Sequence, residues 1–219
     1  MYLSRLLLNP RSKQVQREAR DPYQQHRTVM SAFPETLPED ERVLYRLDVQ
    51  PRTGQMVLLV QSHTEPTWDG LAEKGYLLPE DPFSELRNPA VKVIDLAVQA
   101  GQILSFRLRA NPTKRLMKDI PERNLKKGQR IALFEEPEQL EWLQKKAKNH
   151  GFAIGNVHII DEGFKRGKTN DEQRLAFFAV RFEGHLQVTD PNALVQAVGC
   201  GIGPAKAFGC GLLSLARAG

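Results

Sequence analysis

Tyr23 and His26 stand three residues apart, just downstream of the dipeptide Asp21-Pro22. Asp is a favoured N-cap and Pro a favoured first helical residue. The spacing therefore predicts a helix opening at Asp21, with Gln24 closing a capping box and Tyr23 and His26 sharing a face in its first two turns. Free N–H groups and the positive end of the helix dipole attract phosphate there, and the same dipole disfavours imidazolium. A histidine held near its titration midpoint at neutral pH can both take and give a proton. That suits RNA cleavage without a metal. The 2′-hydroxyl attacks the adjacent phosphorus, one group removes its proton, another protonates the leaving 5′-oxygen, and a 2′,3′-cyclic phosphate remains. Tyr23, with a reference pKa of about 10, is a better donor or orienter than base. Arg27 beside the pair could offset charge on the phosphorane. The alternative is structural: His26 continues the line of Val29, Met30 and Phe33 and reads also as a hydrogen-bonded core residue, and Tyr23 as a packing aromatic.

A second phosphate-seeking element lies near the other end of the chain. The segment GIGPAKAFGCG, residues 201–211, places Gly201, Gly203, Gly209 and Gly211 around Lys206. Glycine permits positive φ and close backbone approach, so successive N–H groups could converge on an anion while Lys206 adds a full charge. Ala207 follows the lysine where a P-loop needs Ser or Thr, and a strand rather than a helix is expected next, so a polynucleotide backbone fits better than a nucleoside triphosphate. The expectation is that this lysine-bearing loop and the imidazole of His26 meet around one phosphodiester.

Basic residues supply the remaining candidates. FRLRANPTKR, residues 106–115, puts Arg107 and Arg109 on one side of a strand and delivers Lys114 and Arg115 on a loop, which suits either a phosphate track or a solvated edge strand with gatekeeper charges. Lys165, Arg166 and Lys168 lie in a predicted loop over 161–174 that could enter an RNA groove or be simply a turn. His63, His150, His158 and His185 have no mutual metal-ligand spacing, and no metal or cofactor is expected. Cys200 and Cys210 read as packing residues and are too few for a disulfide framework.

Charge is placed rather than spread. The net charge is +5 over 219 residues. Residues 101–130 carry nine Lys and Arg against two acids, whereas residues 36–100 carry eleven acids against six bases. An acidic polymer is the natural partner. With 41% hydrophobic residues the chain can form a real core, and it has no apolar run of membrane length or secretory type. A cytoplasmic protein without membrane association is expected.

The elements that must position these groups read as a repeated pattern. Strands are predicted at 2–8, 43–49 and 55–62, with helices near 12–20, from 22, and near 66–73; residues 76–78 are a candidate fourth strand. The stretch 75–89 is rich in Pro and acids and marks a boundary. Beyond it come a strand at 102–109, a helix at 138–150, strands at 152–160 and 175–183, a hairpin return at Gly184, a helix from Asp190-Pro191, and a closing strand at 212–215. Two β-α-β-β-α-β units result: an α+β chain of tandem ferredoxin-like (RRM-like) domains, over 1–88 and 89–219.

Together, MYLSRLLLNP, DPYQQHRTV, FRLRANPTKR, AVRFEGHLQVTDP and GIGPAKAFGCGLLSL, in this order, resemble the CasE (Cse3) family of CRISPR repeat-processing endoribonucleases of Cascade-type (type I-E) systems, over nearly the whole chain. The resemblance implies tandem ferredoxin-like domains, metal-independent cleavage on the 3′ side of a repeat stem-loop, retention of the guide RNA, and assembly with other Cascade subunits. It implies that Tyr23 and His26 are the catalytic pair, that the loop around Lys206 shapes the RNA and active-site surface, and that 165–168 grips the stem. Some relatives carry a further lysine one turn beyond the histidine. Met30 and Ser31 stand there in this chain, which leaves charge stabilisation to Arg27, Lys206 or another group. Two other readings remain: a non-cleaving RNA-hairpin-binding subunit with the same domains, and a small-molecule phosphate enzyme using the glycine loop.

Overall fold

The fold is described from a computed structural model, for residues 1–80 and 87–218. The first half runs β1 (Tyr2–Leu8), α1 (Lys13–Glu18), α2 (Pro22–Met30), β2 (Leu44–Val49), β3 (Met56–Ser62), α3 (Asp69–Glu73) and β4 (Ala90–Val93). The second half runs β5 (Ile103–Ala110), β6 (Thr113–Arg115), β7 (Arg130–Ala132), α4 (Glu136–Asn149), β8 (Phe152–Lys168), β9 (Arg174–Val188), α5 (Pro191–Cys200) and β10 (Leu213–Arg217).

Each half builds a four-stranded antiparallel sheet, in the orders β2-β3-β1-β4 and β10-β5-β9-β8. The strand that opens each half is central in its sheet and the strand that closes it lies on an edge, the ferredoxin-like order in both cases. In β1, the alternation that sequence shows as Ser4, Leu6 and Leu8 turns these residues into a core with Val29, Tyr45, Leu58 and Trp68. In the second half Phe106, Leu108, Phe182 and Leu186 pack beneath Trp142 and Leu143 of α4 and Leu194 of α5.

Three expectations are corrected. The fourth strand of the first sheet is β4, not 76–78; Leu77 makes only an isolated bridge to Leu8. Through its pairing with β1, β4 brings Ala90–Val93 into the first sheet. The predicted return at Gly184 does not occur: β9 runs straight through it, paired with β8 from Val188 to Arg174. Gly184 instead sits opposite a bulge in β8 between Ile154 and Val157, where a side-chain carbon would collide with the Asn156 carbonyl oxygen. The basic segment read as a loop is therefore mostly strand, the far end of a long hairpin that turns over 169–173. The small β6–β7 sheet has no counterpart in the predicted elements.

The two halves are joined by buried polar contacts. Arg46 of β2, only 2% exposed, pairs with Asp48 at 2.9 Å and reaches across to the Ser214 Oγ at 3.0 Å and the Arg107 carbonyl at 3.3 Å. Gln61 of β3 donates to the Val198 carbonyl of α5 at 2.7 Å.

Candidate active site

Helix α2 is held at its start by Asp21, whose Oδ1 accepts the backbone N–H groups of Tyr23 at 3.0 Å and Gln24 at 3.3 Å. The capping box does not close, because the Asp21 N–H donates to the Glu18 carbonyl at the end of α1. The Gln24 side chain accepts from Arg27 instead, at 3.4 Å. Gln25, Thr28 and Val29 turn inward, leaving Tyr23 and His26 half-buried and Arg27 exposed.

The imidazole of His26 meets Phe208 edge-on, with ring centroids 6.0 Å apart. Its Nδ1 is buried and without a hydrogen-bond partner, so no protein group orients the ring by that nitrogen. Burial pushes the His26 pKa below its ordinary value. The direction is that expected from the helix dipole; the cause is desolvation.

Phe208 belongs to the glycine loop, which the fold carries to α2 as expected. Tyr45 of β2 makes the connection: its buried hydroxyl donates to the Ala207 carbonyl at 2.8 Å and lies 3.4 Å from the Pro22 carbonyl. Gly201, at φ 73°, packs so tightly that a side-chain carbon would fall 2.8 Å from Leu44. At Gly203 the same carbon would press on Trp142 at 3.0 Å, and at Gly209 on Tyr45 and Arg109 at 3.3 Å. The amides of Gly201, Ile202, Phe208 and Gly211 donate to internal carbonyls. Gly201 and Gly209 thus serve close packing between the halves and Gly203 packing within the second, which narrows the phosphate-cradle expectation. Lys206 is not the residue that meets His26: its Nζ donates to the Cys200 carbonyl at 2.7 Å. Burial lowers its pKa, and the nearby charges of Arg42 and Lys146 act in the same direction.

The long hairpin arrives from the other side. A side-chain carbon on Gly167 would lie 2.5 Å from Asp21 Oδ1, so β8 passes directly against the cap of α2. Lys165 faces inward and lines a cleft of about 220 Å3 between the halves, together with Arg20, Gln25, Arg109, Glu162 and Phe208. Burial, and then the Arg109 charge, lower its pKa. Arg166 and Lys168, on the opposite face of the strand, are exposed.

Arg107 and Arg109 are placed on one side of β5 but not as an open phosphate track. Arg107 Nε pairs with Glu183 at 2.8 Å and its Nη1 lies 3.4 Å from Asp48. Arg109, 91% buried, has its Nε 2.6 Å from Glu162, an ion pair out of hydrogen-bond alignment. Arg181 joins Glu162 and Glu183 at 3.3 Å and 3.0 Å, completing an ionic lattice across the domain joint. An anion bound at Arg109 would have to displace Glu162. Lys114 pairs with Glu138, and Arg115 is exposed on β6. Tyr45 and Phe208 were missed as site residues. Phe208 had a signal, being the aromatic inside the glycine loop; Tyr45 reads as an ordinary strand residue.

A family model described as CRISPR associated protein matches residues 1–217. The chain is 38% identical to the CRISPR-associated endoribonuclease Cse3 of Thermus thermophilus over 230 residues, covering 99% of this chain and 100% of that one. It is 32% identical to the CRISPR system Cascade subunit CasE of Escherichia coli over 220 residues, covering 99% of each. Among solved structures it is similar to the CRISPR endoribonuclease Cse3 bound to a 19-nt RNA, with a TM-score of 0.81 and 35% identity over 99% of this chain and 100% of that one.

Proposed function

The chain belongs to the CasE (Cse3) family of CRISPR-associated proteins, and on that premise we propose that it is a metal-independent endoribonuclease. It cuts CRISPR repeat stem-loops in the precursor transcript and keeps the product as guide RNA within a Cascade assembly. The observation that carries this reading is His26: a half-exposed imidazole at a helix start, braced by Phe208 of the far half and lacking any protein partner at Nδ1.

The chemistry follows from that placement. Burial favours the uncharged ring, the form that accepts the 2′-hydroxyl proton. The 2′-oxygen then bonds to phosphorus, the bond from phosphorus to the 5′-oxygen breaks, and a donor protonates the departing oxygen. Tyr23, one turn earlier on the same helix, is the second member of the pair. Arg27 beside it, and Arg20 and Lys165 in the cleft, are cations available to the phosphorane. Arg166 and Lys168 present charge to the stem, and the bound product is held by the same contacts. No helix among the described residues is long and apolar enough to cross a membrane.

The test is incubation with a CRISPR repeat stem-loop in EDTA. Cleavage to a 2′,3′-cyclic phosphate is expected, slowed by about a thousandfold in His26→Ala while affinity persists. Tight binding of RNA that stays intact would refute cleavage and leave the hairpin-binding subunit.

A further inference from the structure

Phe134 and Phe164, 49% and 53% exposed, are the two exposed phenylalanines among the described residues. They do not stand alone. Phe134 meets Phe164 at 5.8 Å and Phe178 at 5.0 Å, and Phe164 meets Phe178 at 5.3 Å between ring centroids. The three rings line a groove of about 620 Å3 between the β6–β7 sheet and the long hairpin. That volume falls within the range of about 300–1,000 Å3 common to small-ligand sites.

Two further observations give the groove a chemistry. Its rim is basic through two arginines: Arg130 lines it, and the Arg166 guanidinium lies 5.7 Å from the Phe164 ring centroid. Its one acidic lining residue, Glu138, is neutralised by Lys114. In addition Asn111, 91% buried, lines the groove with a side-chain oxygen that has no hydrogen-bond partner. A buried acceptor without a donor is costly, and a ligand N–H would satisfy it. Rings that offer a flat face, cations at the edge and one orphaned acceptor match an unpaired nucleotide: base on the rings, an exocyclic or imino N–H on Asn111, phosphate on the rim.

Position links this groove to the candidate active site. Phe177 lines it and stacks on Phe208 at 6.3 Å, and Phe208 meets His26 at 6.0 Å. We propose that the Phe134–Phe164–Phe178 groove is a subsite for an unpaired nucleobase flanking the repeat stem. It selects substrates that carry single-stranded RNA next to the scissile bond. The inference rests on the RNA-binding part of the proposed function and adds a determinant outside the stem.

The test uses two RNAs, each with a 2′-deoxy residue at the cleavage site: the repeat stem-loop with its flanking single strands, and the same stem-loop trimmed to its paired base. The flanked RNA should bind about tenfold tighter. Phe134→Ala should erase that gain while leaving the trimmed stem's affinity unchanged. In the unmutated protein, 2-aminopurine in the flanking strand should lose fluorescence on binding through stacking, a readout that needs no variant. Equal affinity for both RNAs with no quenching overturns the groove and leaves the cleavage reading standing. Failure to bind either RNA overturns both.

Discussion

The two halves share one strand order, yet only the second extends its middle hairpin. In the first half β2 and β3, six and seven residues long, meet at a short turn carrying Arg52. In the second, β8 and β9 run for 17 and 15 residues and bring Lys165, Arg166 and Lys168 beside the start of α2. The connections before the last strand differ as well. The first half has a Pro-rich acidic stretch there; the second has a glycine loop packed against Leu44 and Tyr45. One half thus supplies the imidazole and the other supplies its surroundings. Duplicated topology makes a cleft only where one copy reaches over the other.

If that division of labour is real, the joint between halves must matter most. Arg46→Ala leaves Asp48 only its 3.4 Å contact with Arg107, strips donors from the Arg107 and Leu212 carbonyls and from Ser214, and should cost about 3 kcal/mol or more in urea unfolding. Unchanged stability would mean that the halves are held together elsewhere. A smaller effect separates the two hairpins. Replacing Lys165, Arg166 and Lys168 with Gln should weaken repeat binding and flatten the dependence of log affinity on log salt by about 2. Arg52→Gln in the short hairpin should leave that slope unchanged. Equal slopes for both variants would erase the contrast between the hairpins.

Local signals made the frame of this contrast legible. Asp21-Pro22 and Asp190-Pro191 start α2 and α5 because a cap is satisfied by amides two or three residues away. The alternation of β1 and β5 follows from burial of one face. What sequence misplaced depends on partners distant in the chain. Gly184 carries the signature of a turn but answers to Asn156 across the ladder. Arg107 and Arg109 alternate as expected, while the carboxylates that occupy them come from β2, β8 and β9. Lys206 lies in the right loop, but the C-terminal end of α5 captures its amine and Phe208 takes the place beside His26. The β6–β7 sheet was missed because three-residue strands in a basic stretch carry no periodicity.

The central claim is that the imidazole of the first half faces a phosphodiester held by the second. Titration of the His26 ring by NMR tests it without requiring turnover. In the free protein, burial places the midpoint below the ordinary 6.5. A repeat stem-loop with a 2′-deoxy residue at the scissile position should raise that midpoint, because an adjacent phosphate favours the imidazolium. A midpoint at or above 6.5 in the free protein, or one that RNA leaves unmoved, would contradict the account.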